Sequence, residues 1–177
     1  MPRFVCALSV TLGWLLVAPA GYAACPGGQV VPDAEHLSRA ENATRCLIND
    51  RRADVDVTRL PTHDTLQRAA RRYATRMVRE GFFSHVAPDG RTLTDRLDGY
   101  VGGARAWSVG EVLAWATGPL ATPQRVVGAW MDSPRHRRIL RRSGWRAVGV
   151  AVVVGVPSDT TIGATYVADF GTIPPRR

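Results

Sequence analysis

Residues 145–155 read WRAVGVAVVVG and residues 163–171 read GATYVADFG, joined through a polar turn at Pro157-Ser158-Asp159. Both runs are rich in valine and small residues, too short for confident helices and bounded by turn formers, so they predict an antiparallel hairpin in the middle of a sheet. The stretch Val148 to Val154 is almost continuously apolar. A strand with that pattern is covered on both faces, which requires layers above and below it.

Upstream the period changes. Residues 64–80 place Leu66, Ala69, Ala70, Tyr73, Ala74, Met77 and Val78 on one stripe, with Asp64 as the expected cap and Gly81 as the stop. Residues 33–52 predict an earlier helix opened by Asp33, and 92–97 a short later one. Thr122-Pro123 and Ser133-Pro134 each combine a capping hydroxyl with proline at the first helical position, which opens two more helices. Val109 to Trp115 predicts one strand between the helices. The order gives an α+β domain, a three-layer α-β-α sandwich around a small central antiparallel sheet.

Arg3 precedes an apolar run, and Gly21 and Ala23 supply the small residues of a cleavage site, so residues 1–23 read as a secretory signal peptide. Removing it takes Cys6 and leaves Cys25 and Cys46, an even pair in an oxidising compartment, expected as a disulfide. That bridge ties segment 24–32 to the first helix, contributing about 3 kcal/mol through loop entropy. The domain proper spans 33–172, with a tail at 173–177. The reading is of a secreted protein, in the extracellular space or cell envelope, and a monomer.

The chain carries 23 Lys and Arg against 15 Asp and Glu, and every one of the 23 is arginine. The excess favours anionic envelope polymers or peripheral contact with a membrane surface. Arg68, Arg71, Arg72, Arg76 and Arg79 resemble a nucleic-acid stripe, yet they lack interleaved aromatics. A solvated helix face explains them better, and no nucleic-acid partner is expected.

His36 and His63 read as surface residues. His85 sits in a turn between Phe82, Phe83 and Pro88, and His136 in the first turn of a helix. Glu111 lies among Val109, Val112, Leu113, Ala114 and Trp115, where a carboxylate must point to solvent or find a partner. One acid and two imidazoles would suit a divalent cation such as zinc, or acid–base chemistry near neutral pH. They would equally form a buried network that only stitches elements together.

Six segments, CLINDRRA, FFSHVAPDGRTLTDRL, VGEVLAWATG, AWMDSPRHRRIL, WRAVGVAVV and TYVADFG, occur in an order that resembles the CAP superfamily of cysteine-rich secretory, antigen 5 and pathogenesis-related proteins, in its short bacterial branch. The resemblance spans about residues 44–171 and implies an α-β-α sandwich whose cleft collects two histidines and acidic residues. Position by position it assigns His85 and His136 as the histidines and Glu111 as the acid of a Gly-Glu-Asn motif. Val112 replaces the asparagine of that motif. In Trp130-Met131-Asp132-Ser133, Ser133 replaces the second acid.

Ser133 beside His136 suggests a nucleophile, but a helix cap is the better account, its oxygen then being taken by the helix backbone. The expected function is a non-catalytic binding module for a lipid, glycan or divalent metal in a cleft of His85, Glu111, His136 and Ser133. No cofactor is required by this reading, zinc or another divalent cation being the candidate. The alternative is a metal-assisted hydrolase of peptidase type using the same cleft.

Overall fold

The computed structural model describes residues 25–103, 106–158 and 162–172. The expected signal peptide and C-terminal tail lie outside them. Among the described residues, six α-helices and three strands follow in the order α1 (Leu37–Ala53), α2 (Asp64–Glu80), α3 (Leu93–Arg96), α4 (Asp98–Val101), β1 (Ser108–Thr117), α5 (Pro123–Asp132), α6 (Pro134–Leu140), β2 (Ala147–Val154) and β3 (Gly163–Thr172), with a 3-10 turn (Gly118–Ala121) between β1 and α5.

The sheet runs β1-β3-β2 with both pairings antiparallel. Alternation divides it into two faces. Val112, Val148, Val150, Val152, Tyr166 and Phe170 meet α1 and α5 through Ile48, Val126, Val127 and Trp130. Leu113, Ala151 and Val167 meet α2 through Ala70, Tyr73, Ala74 and Met77. The short helices α3 and α4 close the end of that second layer, where Leu97, Tyr100 and Val101 pack on Leu66 and Ala147. This is the α+β sandwich that the periods predict.

The hairpin is not in the middle of the sheet. β3 is central and β2 is an edge, yet the first six residues of β2 are buried. Its free side is covered by chain that reads from sequence only as a break between helices. Val148 N donates to Pro61 O and His63 N to Val148 O, each at 3.0 Å, and Val152 N donates to the buried Glu41 carboxylate at 3.2 Å. An edge sealed this way can remain apolar on both faces.

Cap readings shift by a residue or more. Asp33 accepts from the backbone of Glu35 and His36 in the turn before α1, which starts at Leu37. His63, not Asp64, caps α2, its ring accepting from Thr65 N. Gly81 ends α2 in the left-handed region at φ 68°, and part of the glycine-rich connection after Leu97 is helical as α4. The disulfide joins Cys25 and Cys46 across a separation of 21 residues.

Arg52, fully buried at the end of α1, donates to Thr58 O, Leu140 O and Arg142 O at 2.9, 2.6 and 3.0 Å. Burial lowers its pKa from the ordinary arginine value. Its guanidinium satisfies the carbonyls at the end of α6 from beneath, and so fixes that helix against the body.

Candidate functional site

Glu111 and Asp169 are opposite one another on β1 and β3, with Gly149 next across on β2, and the alternation of the strands turns this row toward the α2 layer. Glu111 is 4% exposed and Asp169 1%. Two buried carboxyls side by side demand cations or protons.

Arg96 is the cation. The capping box of α3, Thr92 with Asp95, sets the turn that carries it. Its guanidinium donates to Glu111 Oε2 at 2.5 Å and to His85 O at 2.9 Å, and lies 3.4 Å over the ring of Tyr73. Tyr73 in turn donates to Ser84 O at 2.6 Å. The loop after α2 is therefore clamped on both sides of His85, which meets Glu111 Oε1 through Nδ1 at 2.7 Å. A carboxylate can only accept, so Nδ1 carries a proton and donates it to Glu111, which leaves Nε2 as the ring nitrogen directed away from that acid.

Asp169 supplies the proton. No N–H or O–H of another described side chain or backbone group reaches its oxygens. Burial first, and then the Glu111 charge, raise its pKa well above the usual carboxylate range, against the lowering effect of Arg96. That shift favours the protonated carboxyl, the form that can donate to Glu111.

Because the folded-state pKa is raised, this group favours the fold below its unfolded pKa, near 3.8, and that stability is lost as pH climbs from there through the folded value. In Asp169→Asn the amide donates to Glu111 with nothing to titrate. The difference in urea-unfolding free energy between Asp169→Asn and wild type should grow in favour of the variant as pH rises from 4 to 7. A difference independent of pH would mean that Asp169 is not held protonated.

His136 lies on the first turn of α6 and is half-buried. Its pKa falls below the ordinary imidazole value of 6.5, by burial first and then by the charges of His85 and Arg135. His85, Glu111 and His136 line one cleft of about 290 Å³ together with Val86, Thr92, Arg135 and Ile139. The three residues singled out in the sequence thus share a hollow, with Glu111 at its floor and the two rings at its wall. Val112 points to the opposite face and packs under α5.

Ser133 departs from expectation. It is the N-cap of α6 by backbone conformation, but its side chain makes no cap hydrogen bond, and it is not among the residues lining the cleft. Arg96 and Asp169 were missed. The signal for Asp169 was the one used for Glu111, an acid inside an apolar strand in TYVADFG, whereas Arg96 in TDRL has no local mark.

Among groups of three His, Cys, Asp or Glu with ligand atoms mutually within 4.8 Å, Cys25, Cys46 and Asp50 are found. The two cysteines are bonded to each other, so that group is no metal site.

The profile of the cysteine-rich secretory protein family, CAP, matches residues 46–170. No curated protein sequence matches the chain. Among solved structures, an outer surface protein from Borrelia burgdorferi superposes with a TM-score of 0.62 at 23% identity, over 73% of this chain and 89% of that one. An extracellular protein containing an SCP domain from Bacillus anthracis gives 0.58 at 23% identity, over 78% of this chain and 40% of its own. A cysteine-rich secretory protein from Staphylococcus aureus gives 0.60 at 17%, again over 78% and 40%. At such identities the likeness speaks for the fold. With the profile covering most of the described domain, the chain belongs to the cysteine-rich secretory protein (CAP) family.

Proposed function

We propose that this CAP domain is an exported, non-catalytic binding module whose cleft takes a divalent cation such as zinc on His85 Nε2 and His136. The observation that carries the reading is the 2.7 Å hydrogen bond from His85 Nδ1 to Glu111. A carboxylate behind an imidazole fixes the tautomer, aims the other nitrogen outward and raises its basicity. Two imidazole nitrogens are a donor set that suits zinc, and His136 stays unprotonated to a lower pH than a free imidazole. Bound there, the cation would offer open positions to oxygen atoms of a glycan or lipid.

Each residue then has a task. Glu111 orients His85, Arg96 holds the Glu111 carboxylate in place, and Asp169 holds a proton against it. A hydrolase is less well supported, since Ser133 does not line the cleft and both Glu111 oxygens are engaged. The disulfide supports export, because such bonds persist in oxidising compartments.

Calorimetric titration with zinc at pH 7.5 should show one site in the wild type. His85→Ala and His136→Ala should each weaken it by at least about tenfold. Acidification should weaken it too, since protons compete for the same nitrogens, with His136 giving way only below the ordinary imidazole value. A wild type that binds no zinc, or variants that bind as well as it does, would remove the proposal.

A further inference from the structure

Two arginine-bearing helices, α2 and α6, differ in how many of their arginines are paired with acids, Arg68 and Arg72 being the α2 arginines in no ion pair among the described residues. On α2, Arg71 pairs with Glu41, Arg76 with Glu80 and Asp89, and Arg79 with Glu80. Around α6, none of Arg135, Arg137, Arg138, Arg141, Arg142 and Arg146 is in an ion pair among the described residues. No acid occurs in the sequence between Asp132 and Asp159.

At about 100° per residue, His136, Ile139 and Leu140 fall on one arc of α6. Leu140 is fully buried, and His136 and Ile139 are half-buried against the cleft. Arg135, Arg137 and Arg138 fall on the opposite arc, and Arg141 and Arg142 follow where the helix ends. Arg135, Arg137, Arg138 and Arg142 are exposed. Arg52 holds α6 from below through carbonyls, so it does not compete for these outer guanidinia.

A second feature adjoins this arc. Arg142 donates to Ser108 Oγ at 3.3 Å, and the preceding residue, Trp107, is 41% exposed. A solvent-facing indole next to a one-signed cationic patch matches the chemistry of a phospholipid interface, where tryptophan settles at headgroup depth and guanidinium binds phosphate in a bidentate fork. A linear polyanion would match the charge and leave the indole without a role.

We infer that the α6 arc and Trp107 form a docking surface for an anionic phospholipid bilayer, with Arg135 joining that surface to the rim of the cleft. Docked in this way, the domain would hold the mouth between His85 and His136 beside the headgroups. The inference does not depend on cation binding, and the experiment is run with chelator present so that the two stand or fall separately.

The probe is vesicles of phosphatidylcholine containing about one third phosphatidylglycerol, set against pure phosphatidylcholine, in sedimentation assays. Wild type should bind the anionic vesicles, weaken as salt rises, and ignore the neutral ones. Arg137→Gln/Arg138→Gln should lose affinity on the order of 30-fold, at about 1 kcal/mol for each arginine near the surface. Arg68→Gln/Arg72→Gln removes the same charge from α2 and should change affinity by less than about threefold. Bromine-labelled acyl chains should quench part of the tryptophan emission, and Trp107→Phe should remove that quenching. Equal losses in the two pairs, no binding to anionic vesicles, quenching that survives Trp107→Phe, or tighter binding to duplex DNA than to the vesicles would each overturn the inference.

Discussion

Gly149→Ala is expected to cost about 3 kcal/mol or more, which for a domain of ordinary stability leaves it largely unfolded on warming. A Cβ placed on Gly149 would lie 2.1 Å from Gln67 N, 2.2 Å from Leu66 C and 2.6 Å from Leu66 Cβ. The first two are backbone atoms of α2, so no rotamer change relieves the overlap. That turn is also pinned, because residues 61–63 are hydrogen-bonded to both sides of Val148. Relief requires lifting α2 off the sheet, and Ala70, Ala74 and Met77 would then lose Ala151 and Val167. The damage would reach the cleft, since Tyr73 of the same helix holds Ser84 and supports Arg96. Gly128→Ala is the control: it sits inside α5 with no atom within 4 Å of the added methyl, and should be neutral or stabilising by about 0.5–1 kcal/mol. Thermal and urea unfolding of both variants checks the pair. A Gly149→Ala protein within about 1 kcal/mol of wild type would mean that α2 rides on the sheet less tightly than this close approach requires.

Local pattern carried the elements and failed where the cause acts across space. The stripe of α2, the proline-opened helices and the valine-rich strands are periodicities written within one segment, and each is found in place. The edge position of β2 was hidden because its cover comes from residues 61–63 and from Glu41, far away in the chain. Thr122 and Ser133 carry the same opening signal, yet only Thr122 accepts from the third residue on, Arg125 N. The dipeptide specifies the backbone start and leaves the rotamer to the neighbours. In the site, Glu111 was legible as an acid among apolar residues, and Asp169 belongs to the same class. Arg96 was illegible: on a four-residue helix beside Asp95 and Asp98 an arginine reads as solvent-facing, and only the packing of that helix against β1 carries its guanidinium to a buried carboxylate.

Removing that carboxylate should be the most damaging change in the cleft. Glu111→Ala leaves the Arg96 guanidinium, whose side chain is 10% exposed, without its anion, and breaking a buried pair from one side costs about 3–5 kcal/mol. Asp169 moderates the loss. Without the neighbouring negative charge that helps to raise its pKa, and with Arg96 lowering it, its carboxyl can ionise and take the vacated role. Glu111→Ala should therefore fall at the low end of that range near neutral pH. Glu111→Ala/Asp169→Asn, which leaves Arg96 no acid at all, should fall at the high end even though Asp169→Asn alone is favourable. That reversal of sign is the signature of one shared charge balance, and urea unfolding of the four proteins measures it as a coupling energy. A second readout separates orientation from stability. In wild type the Nδ1–H···Glu111 bond selects the Nδ1-protonated ring of His85; nitrogen chemical shifts should show that preference lost in Glu111→Ala under conditions where the variant is still folded. Additive stability changes together with an unaltered His85 tautomer would show that Glu111 neither balances Arg96 nor aims the ring, and the cleft would then lack the orienting group on which the proposed cation site depends.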